Sequence, residues 1–161
     1  MISKQPTFLV DAMLGNIAKK LRLLGYDAEY FSNINDDELI LKAEKENRII
    51  ITKDEPLSHQ IQKKNLPMIQ ITKNEEMDQL VQIYTNLELP KSEISGMTTR
   101  CTICNCQLHS IEKDLVTDRV PEGVLEQTDH FWICNDCDKI YWEGTHIKNL
   151  QKFVVGLNEK L

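Results

Sequence analysis

The sequence predicts an α/β fold with a mostly parallel central sheet, followed by a small cysteine-rich unit. Short apolar runs alternate with amphipathic stretches as far as residue 87, and all five cysteines lie beyond residue 100. Between these regions, residues 88–100 are polar, contain Pro90 and Gly96, and lack hydrophobic periodicity, which is typical of a linker. We therefore expect one domain over residues 1–90 and a second over residues 91–161, which ends in an amphipathic helix at "HIKNLQKFVVGL".

The first strand and helix are indicated by a change of hydrophobic period. "TFLV" at 7–10 is a short apolar run, and Gly25 is a natural C-terminal stop for the helix that follows. That helix is predicted from apolar residues at helical spacing: Leu14, Ile17, Ala18, Leu21 and Leu24.

Three further strands are predicted at "AEYF" (28–31), "RIIIT" (48–52) and "MIQI" (68–71). Asn35 is a good N-cap for the helix after the second strand, with Glu38 at the capping-box spacing. Pro56 suits the first turn of the next helix, and residues 74–87 form the last. Alternating strands and helices favour a parallel sheet with both faces covered.

Acidic residues follow three of these strands. Asp11 ends the first, Asp54 follows the third, and Asp36 and Asp37 begin the helix after the second. Right-handed crossovers gather such positions at the edge where ligands of open α/β sheets bind. A single acid at such a junction usually caps a helix. Three junctions together indicate a site for a hard divalent ion, Mg²⁺ or Mn²⁺, which activates water and clamps phosphoryl groups.

Two CxxC pairs predict a second metal site. Cys101 and Cys104 form one pair and Cys134 and Cys137 the other, which completes a tetrahedral Cys₄ set for structural zinc. The 29 residues between the pairs exceed the usual spacing of about 15–20, so we expect an extended hairpin or insertion. Cys106 is left over, either as a competing ligand or, as we favour, a buried small apolar side chain.

These residues resemble a known family. "DELILKAEKENRIIITKD" is similar to the signature of PIN-domain nucleases, which is an acid, x-Leu-Ile-x-x-Ala, a strand and Thr-x-Asp. "FLVDAMLGNIAKKLRLLGYDA" resembles one branch more closely, the PIN-like ribonuclease domain of the Mut-type exonuclease C-terminal family, which ends in a zinc ribbon. The resemblance extends from Phe8 to about His146, and "YWEGTH" matches the closing motif.

The resemblance implies a PIN-like three-layer domain that hydrolyses RNA phosphodiesters. By residue match, Asp11, Asp37 and Asp54 would hold Mg²⁺ or Mn²⁺, and Thr52 would orient a carboxylate or water. Asp36 is the alternative ligand, with Asp37 as the cap, although the spacing to the Leu-Ile pair favours Asp37. The chain departs from many PIN domains because the segment between Asp11 and Asp37 has no clear counterpart of a further helix acid.

Basic residues offer contacts for RNA phosphates: Lys19, Lys20, Arg22 and Lys53. For the three helix residues, Lys19, Lys20 and Arg22, we favour an ordinary solvated helix face over RNA contacts. Trp132, Tyr141 and Trp142 suit base stacking, but we favour them as the core of the small ribbon. His146 is a minor candidate for the active edge.

Bulk composition restricts the remaining function classes. The net charge of −6 is shared evenly by the two halves. Neither half therefore has the positive net charge that is typical of a nucleic-acid-binding domain. No apolar stretch approaches membrane-span length and the start lacks a signal-peptide pattern, so we expect a cytoplasmic protein. A phospho-acceptor receiver domain is disfavoured because "VDAM" has one acid and a fifth strand is missing. The main alternative is a non-catalytic RNA- or protein-binding module that uses the zinc ribbon.

Overall fold

A computed structural model describes residues 4–94 and 98–161, except for the side chains of 145 and 146. The first half of the chain forms alternating strands and helices, as predicted. A 3₁₀ turn at Ala12–Leu14 precedes the first helix. The strands are β1 (Phe8–Val10), β2 (Ala28–Tyr30), β3 (Ile49–Thr52) and β4 (Met68–Gln70), and the helices are α1 (Gly15–Leu23), α2 (Asp36–Glu46), α3 (Glu55–Lys63) and α4 (Glu76–Leu87).

The four strands form one parallel sheet in the order β2-β1-β3-β4. Val10 of β1 pairs with Tyr30 on one side and Ile51 on the other. The strand order therefore changes direction between β1 and β3, although all four strands remain parallel. This position is a topological switch point, where open α/β sheets bind ligands.

Helices cover both faces of the sheet and bury two apolar cores. On one face, Phe8, Val10 and Ile51 pack with side chains of α1 and α4. On the other, Leu9 and Ile50 pack with side chains of α2 and α3. The α/β prediction with a mostly parallel sheet is confirmed, in a three-layer arrangement.

Local capping explains where α2 begins and ends. The Asn35 side chain accepts a hydrogen bond from the Glu38 amide at 2.9 Å, as predicted for the N-cap. Asn47 ends the helix in the left-handed conformation with φ 56°, which asparagine tolerates better than most residues.

The cysteine-rich region forms a second, antiparallel sheet. Its strands are β5 (His109–Ile111), β6 (Phe131–Ile133) and β7 (Ile140–Trp142), in that order. The segment between the cysteine pairs also holds a 3₁₀ turn (Lys113–Leu115) and α5 (Glu122–Gln127). The expected insertion is therefore present.

The last helix, α6 (Thr145–Lys160), packs against the first core rather than the ribbon core. Val154 and Leu157 are buried with Leu80 and Tyr84 of α4. Asn158 also holds the segment after α4, accepting from the Ser92 amide at 3.0 Å and donating to its carbonyl at 2.9 Å. The boundary at residue 90 stays a prediction, but α6 contributes to the core of the α/β unit. None of the described helices has the length and apolar character needed to cross a membrane.

Candidate functional site

Asp11 and Thr52 lie together at the carboxyl ends of the two central strands. The Thr52 side chain is fully buried, and its hydroxyl donates to Asp11 Oδ2 at 2.8 Å. The other Asp11 oxygen, Oδ1, accepts from the Ala12 amide at 2.7 Å. These two hydrogen bonds fix both carboxylate oxygens of Asp11. The residue is 9% exposed, so it is not fully shielded from solvent.

Asp54 is fixed by the same threonine and by the helix that it caps. Its amide donates to the Thr52 hydroxyl oxygen at 3.0 Å. Its Oδ1 accepts from the Leu57 amide at 2.8 Å, as the N-cap of α3. Capping occupies only one carboxylate oxygen, so it does not exclude a second role for the other.

The pKa of Asp36 is affected by the other acids of this edge. Partial desolvation raises the pKa of the Asp36 carboxyl above its usual value, and the negative charges of Asp54 and Asp11 add to the rise. Asp37, the residue favoured by the sequence, lines a groove between α2 and α3 with Ile40 and Lys63. The negative charges of Asp11 and Asp54 thus link Asp36 electrostatically to the β1 and β3 ends.

The carboxylates do not form a tight cluster. Within residues 4–94 and 98–161, no three acids have donor atoms as close together as the cysteine sulfurs described below. The edge can therefore present oxygen ligands from three elements, but they are spread over the ends of separate strands and a helix.

The predicted phosphate contacts occupy different environments. Lys53 is half-buried and lines a cleft of ≈ 330 Å³ at this edge together with Asn74 and Glu76. Lys19 is exposed, and Lys20 lies 3.7 Å from Glu76 Oε1.

Arg22 differs from the other three because it is buried. Only 4% of it is exposed, and its guanidinium donates at 2.8 Å to the carbonyls of Ala28 and Thr102. Burial is the main cause that lowers its pKa. The guanidinium therefore joins the α/β unit to the cysteine region and does not face solvent.

Four cysteine sulfurs converge on a single point. The Sγ atoms of Cys101, Cys104, Cys134 and Cys137 all lie within 4.8 Å of one another. These are the four residues predicted as ligands, and such a set could bind Zn²⁺. The cluster fits the predicted zinc ribbon.

The two CxxC turns share one backbone geometry. Asn105 and Asp138 follow the second cysteine of each pair, with φ 72° and 61°. Their amides donate to the carbonyls of Cys101 and Cys134 at 2.9 and 2.7 Å. Each turn therefore closes on a left-handed Asn or Asp, residue types that adopt this conformation comparatively readily.

Asn105 also joins the first cysteine turn to the sheet. Its side chain is 5% exposed and accepts from the Ala28 amide at 3.0 Å. It donates to Asp27 Oδ1 at 2.7 Å, and Asp27 in turn accepts from Arg48 at 2.7 Å. The sequence did not single out these residues, because the contact joins positions almost eighty apart and has no local signature.

Cys106 and Tyr141 lie beside the quartet. Cys106 is only partly buried, which corrects the favoured prediction of a buried apolar side chain. Its thiol donates to Asp136, an interaction that raises the pKa of Cys106 to about 12. Burial opposes ionisation of Cys101, but the hydrogen bond from Tyr141 and backbone amides outweigh it and lower the Cys101 pKa to about 7.

The ribbon aromatics are partly buried. Trp132 packs against the cysteine quartet and Trp142 against the small core of the second sheet. Both retain some exposure, as does Tyr141. The side chain of His146, the minor candidate for the active edge, lies outside the described residues.

Comparison with protein families decides where this chain belongs. The model of the Mut7-C RNAse domain matches residues 6–154, which spans the parallel sheet, the cysteine region and most of α6. The chain belongs to the Mut7-C RNAse domain family. The resemblance found in the sequence is thereby confirmed, and membership indicates a ribonuclease-type function for this Mut7-C domain. No match was found among curated proteins or among solved structures.

Proposed function

We propose that this Mut7-C RNAse domain is a divalent-metal-dependent ribonuclease whose active edge is formed by Asp11, Asp54 and Asp36 or Asp37. The observation that carries the proposal is the buried Thr52 hydroxyl, which bonds the Asp11 carboxylate and the Asp54 amide. A buried threonine that orients an acid at the switch point of a parallel sheet suits a preorganised site.

The donor chemistry of this edge fits Mg²⁺ or Mn²⁺. Asp11 and Asp54 each have one carboxylate oxygen bound to a backbone amide. Lone pairs remain on Asp11 Oδ2 and Asp54 Oδ2, and carboxylate oxygen is the ligand that hard divalent cations prefer. The raised Asp36 pKa supports the same assignment, because a cation would relieve the repulsion among these acids. When bound, such an ion supplies an activated water and charge stabilisation at the phosphodiester.

The side chains of this chain have separate tasks in the proposal. Thr52 fixes the orientation of Asp11, and the α3 N-terminus fixes Asp54. Lys53 lies between Thr52 and Asp54 in sequence and lines the edge cleft, where its ammonium can meet a phosphate of the RNA. Arg22 is omitted from the RNA contacts because its guanidinium is occupied by carbonyl oxygens.

The choice between Asp36 and Asp37 rests on two opposed arguments. Family spacing favours Asp37, whereas charge coupling to Asp11 and Asp54 favours Asp36. The choice can be tested by measuring the Mn²⁺ affinity of Asp36→Asn and of Asp37→Asn. Only the variant that replaces a metal ligand should bind Mn²⁺ much more weakly than the wild type.

The central test is RNA cleavage by Asp54→Asn. Asparagine is as good an N-cap as aspartate, so the variant keeps α3 and loses only the charge. Asp118→Asn, at an exposed position in the cysteine region, is the matched control. Purified zinc-loaded proteins are freed of loosely bound metal and supplied with Mg²⁺ or Mn²⁺ and mixed labelled RNAs. We expect cleavage by the wild type and the control but not by Asp54→Asn. Equal cleavage by all three proteins would reject the active edge.

We further propose that the cysteine quartet holds one structural Zn²⁺. Four thiolates close the coordination sphere, so the ion has no open position for substrate. A second candidate function, a non-catalytic RNA- or protein-binding module, is favoured by the absence of a tight carboxylate set among the described residues. Metal-dependent, Asp54-dependent cleavage would reject that alternative.

A further inference from the structure

One ion pair joins residues that line two different clefts. The edge cleft is the ≈ 330 Å³ cavity lined by Lys53, Asn74 and Glu76. A larger cavity of ≈ 580 Å³, here called the ribbon cleft, is lined by Lys20, Lys139, Tyr141, Trp142, Leu150 and Phe153. Glu76 belongs to the first and Lys20 to the second, and their charged atoms are 3.7 Å apart. The two clefts therefore meet at this pair.

The lining of the ribbon cleft combines aromatic rings with positive charge. The only charged side chains in its described lining are Lys20 and Lys139, so the cleft is basic in a chain whose net charge is −6. Lys139 Nζ lies 4.8 Å from the centre of the Tyr141 ring, and Lys20 Nζ lies 4.6 Å from that of Phe153. Aromatic faces beside lysines are the elements with which proteins hold single-stranded nucleic acid.

Both lysines are at least partly open to solvent. Lys139 is exposed. The side chains of Lys20 and Glu76 are 27% and 36% exposed, although Glu76 Oε1, the oxygen nearest Lys20, is itself buried. A single contact of 3.7 Å between two partly exposed side chains contributes little energy, so Lys20 can also meet a phosphate.

We propose that the ribbon cleft is a binding subsite for single-stranded RNA. A strand whose scissile phosphate lies at the active edge would pass the Lys20–Glu76 pair, with phosphates at Lys20 and Lys139 and a base against Trp142. The inference rests on the proposed ribonuclease function for the direction of the strand. The binding site itself stands on the lining of the cleft and can be tested without cleavage.

The cleft has both halves of the molecule in its walls. Lys20 comes from α1, Tyr141 from β7 and Phe153 from α6. The Tyr141 hydroxyl lies within hydrogen-bonding distance of Cys101 Sγ and accepts from the Thr102 amide, each at 3.1 Å, so the cysteine turn holds this ring in place. The subsite would thus give the ribbon a direct role in substrate binding.

The test measures binding of an unstructured, fluorescein-labelled RNA of about 12 nucleotides, a length within the usual range of single-strand sites. All proteins are zinc-loaded, full-length and carry Asp54→Asn to prevent cleavage. The variant is Lys20→Gln with Lys139→Gln. The control, Lys45→Gln with Lys152→Gln, removes the same number of charges at exposed positions outside the cleft lining. Anisotropy gives Kd over a range of salt concentrations.

Removing two phosphate contacts should weaken binding at least tenfold at low salt. It should also reduce the slope of log K against log salt by about 1.4, at about 0.7 per phosphate. The control should keep both values. Equal affinity and slope in the double variant and the control would overturn the subsite.

A second measurement reports base stacking directly. The chain has two tryptophans, so Trp132→Phe leaves Trp142 as the only indole. RNA should quench its emission, and unchanged emission at saturating RNA would also overturn the proposal. The outcomes separate from those of the ribonuclease test. If the double variant loses affinity and salt slope while the wild-type protein cleaves no RNA, the subsite is supported and the nuclease is rejected. Asp54-dependent cleavage with an unchanged slope does the reverse.

Discussion

Replacing Thr52 by valine removes the hydroxyl that joins the two central acids while keeping the side-chain shape. Two hydrogen bonds are lost, one to the Asp11 carboxylate at 2.8 Å and one from the Asp54 amide at 3.0 Å. A bond to a charged group contributes about 1.5–3 kcal/mol and a neutral one about 0.5–1.5 kcal/mol. Because Asp54 is partly exposed, water replaces some of this loss. We expect a destabilisation of about 2–3 kcal/mol, which lowers Tm by about 4–12 °C in a chain of this size.

The matched control is Thr52→Ser, which keeps the hydroxyl and loses only a buried methyl group, at a cost of about 1 kcal/mol. Both variants are compared by thermal unfolding, by Mn²⁺ titration and by RNA cleavage below their Tm. If Thr52 positions Asp11, valine should lower metal affinity or cleavage about 10–100-fold, and serine should retain most of both. Equal Mn²⁺ affinity and cleavage in the two variants would refute the positioning role, whatever their Tm values.

Three other predictions concern the cysteine region and the acidic edge. Asn105→Gly should lower the unfolding free energy by about 2–3 kcal/mol through the bonds to Ala28 and Asp27. Asn105→Ala should cost about 1–2 kcal/mol more, because alanine is strained at φ 72°; equal Tm values for the two would contradict this. Elemental analysis should find one zinc per chain in the wild type and in Cys106→Ser but a large loss in Cys137→Ser, and the reverse order would show that Cys106 is a ligand. Since the folded-state pKa of Asp36 is raised, wild-type stability should fall as pH rises through that pKa. Asp36→Asn should therefore be more stable than the wild type at pH 7 without Mg²⁺. The difference in Tm between the two proteins should shrink as the pH is lowered towards the ordinary pKa of aspartate.

The strands of the α/β unit could be predicted because their sequences carry the cause of their burial. "RIIIT" has consecutive branched apolar residues, and Ile50 and Ile51 pack into opposite cores. A run without polar alternation is stable only where both faces of the sheet are covered. The cysteine quartet could also be predicted from the sequence. Each CxxC turn brings two cysteines together locally, and only the pairing of the two turns depends on the fold.

Arg22 shows why other features could not be predicted. From the sequence it is one of several basic residues on an amphipathic helix, and such residues are usually solvated. Its partners are the carbonyls of Ala28 and Thr102, and backbone carbonyls carry no sequence signal. The same limit applies to α6. The spacing of Val154 and Leu157 predicts an amphipathic helix, but not that its apolar face would cover α4.

The position of α6 has a consequence for how the molecule is made. The α/β core receives Val154 and Leu157 only after the whole cysteine region has been synthesised. Until α6 emerges from the ribosome, part of the apolar surface of α4 stays uncovered, so the nascent α/β unit cannot reach its full stability. The cysteine region, whose four clustered cysteines lie between residues 101 and 137, leaves the ribosome earlier. Binding of the proposed zinc ion can therefore precede completion of the core to which the proposed catalytic edge belongs.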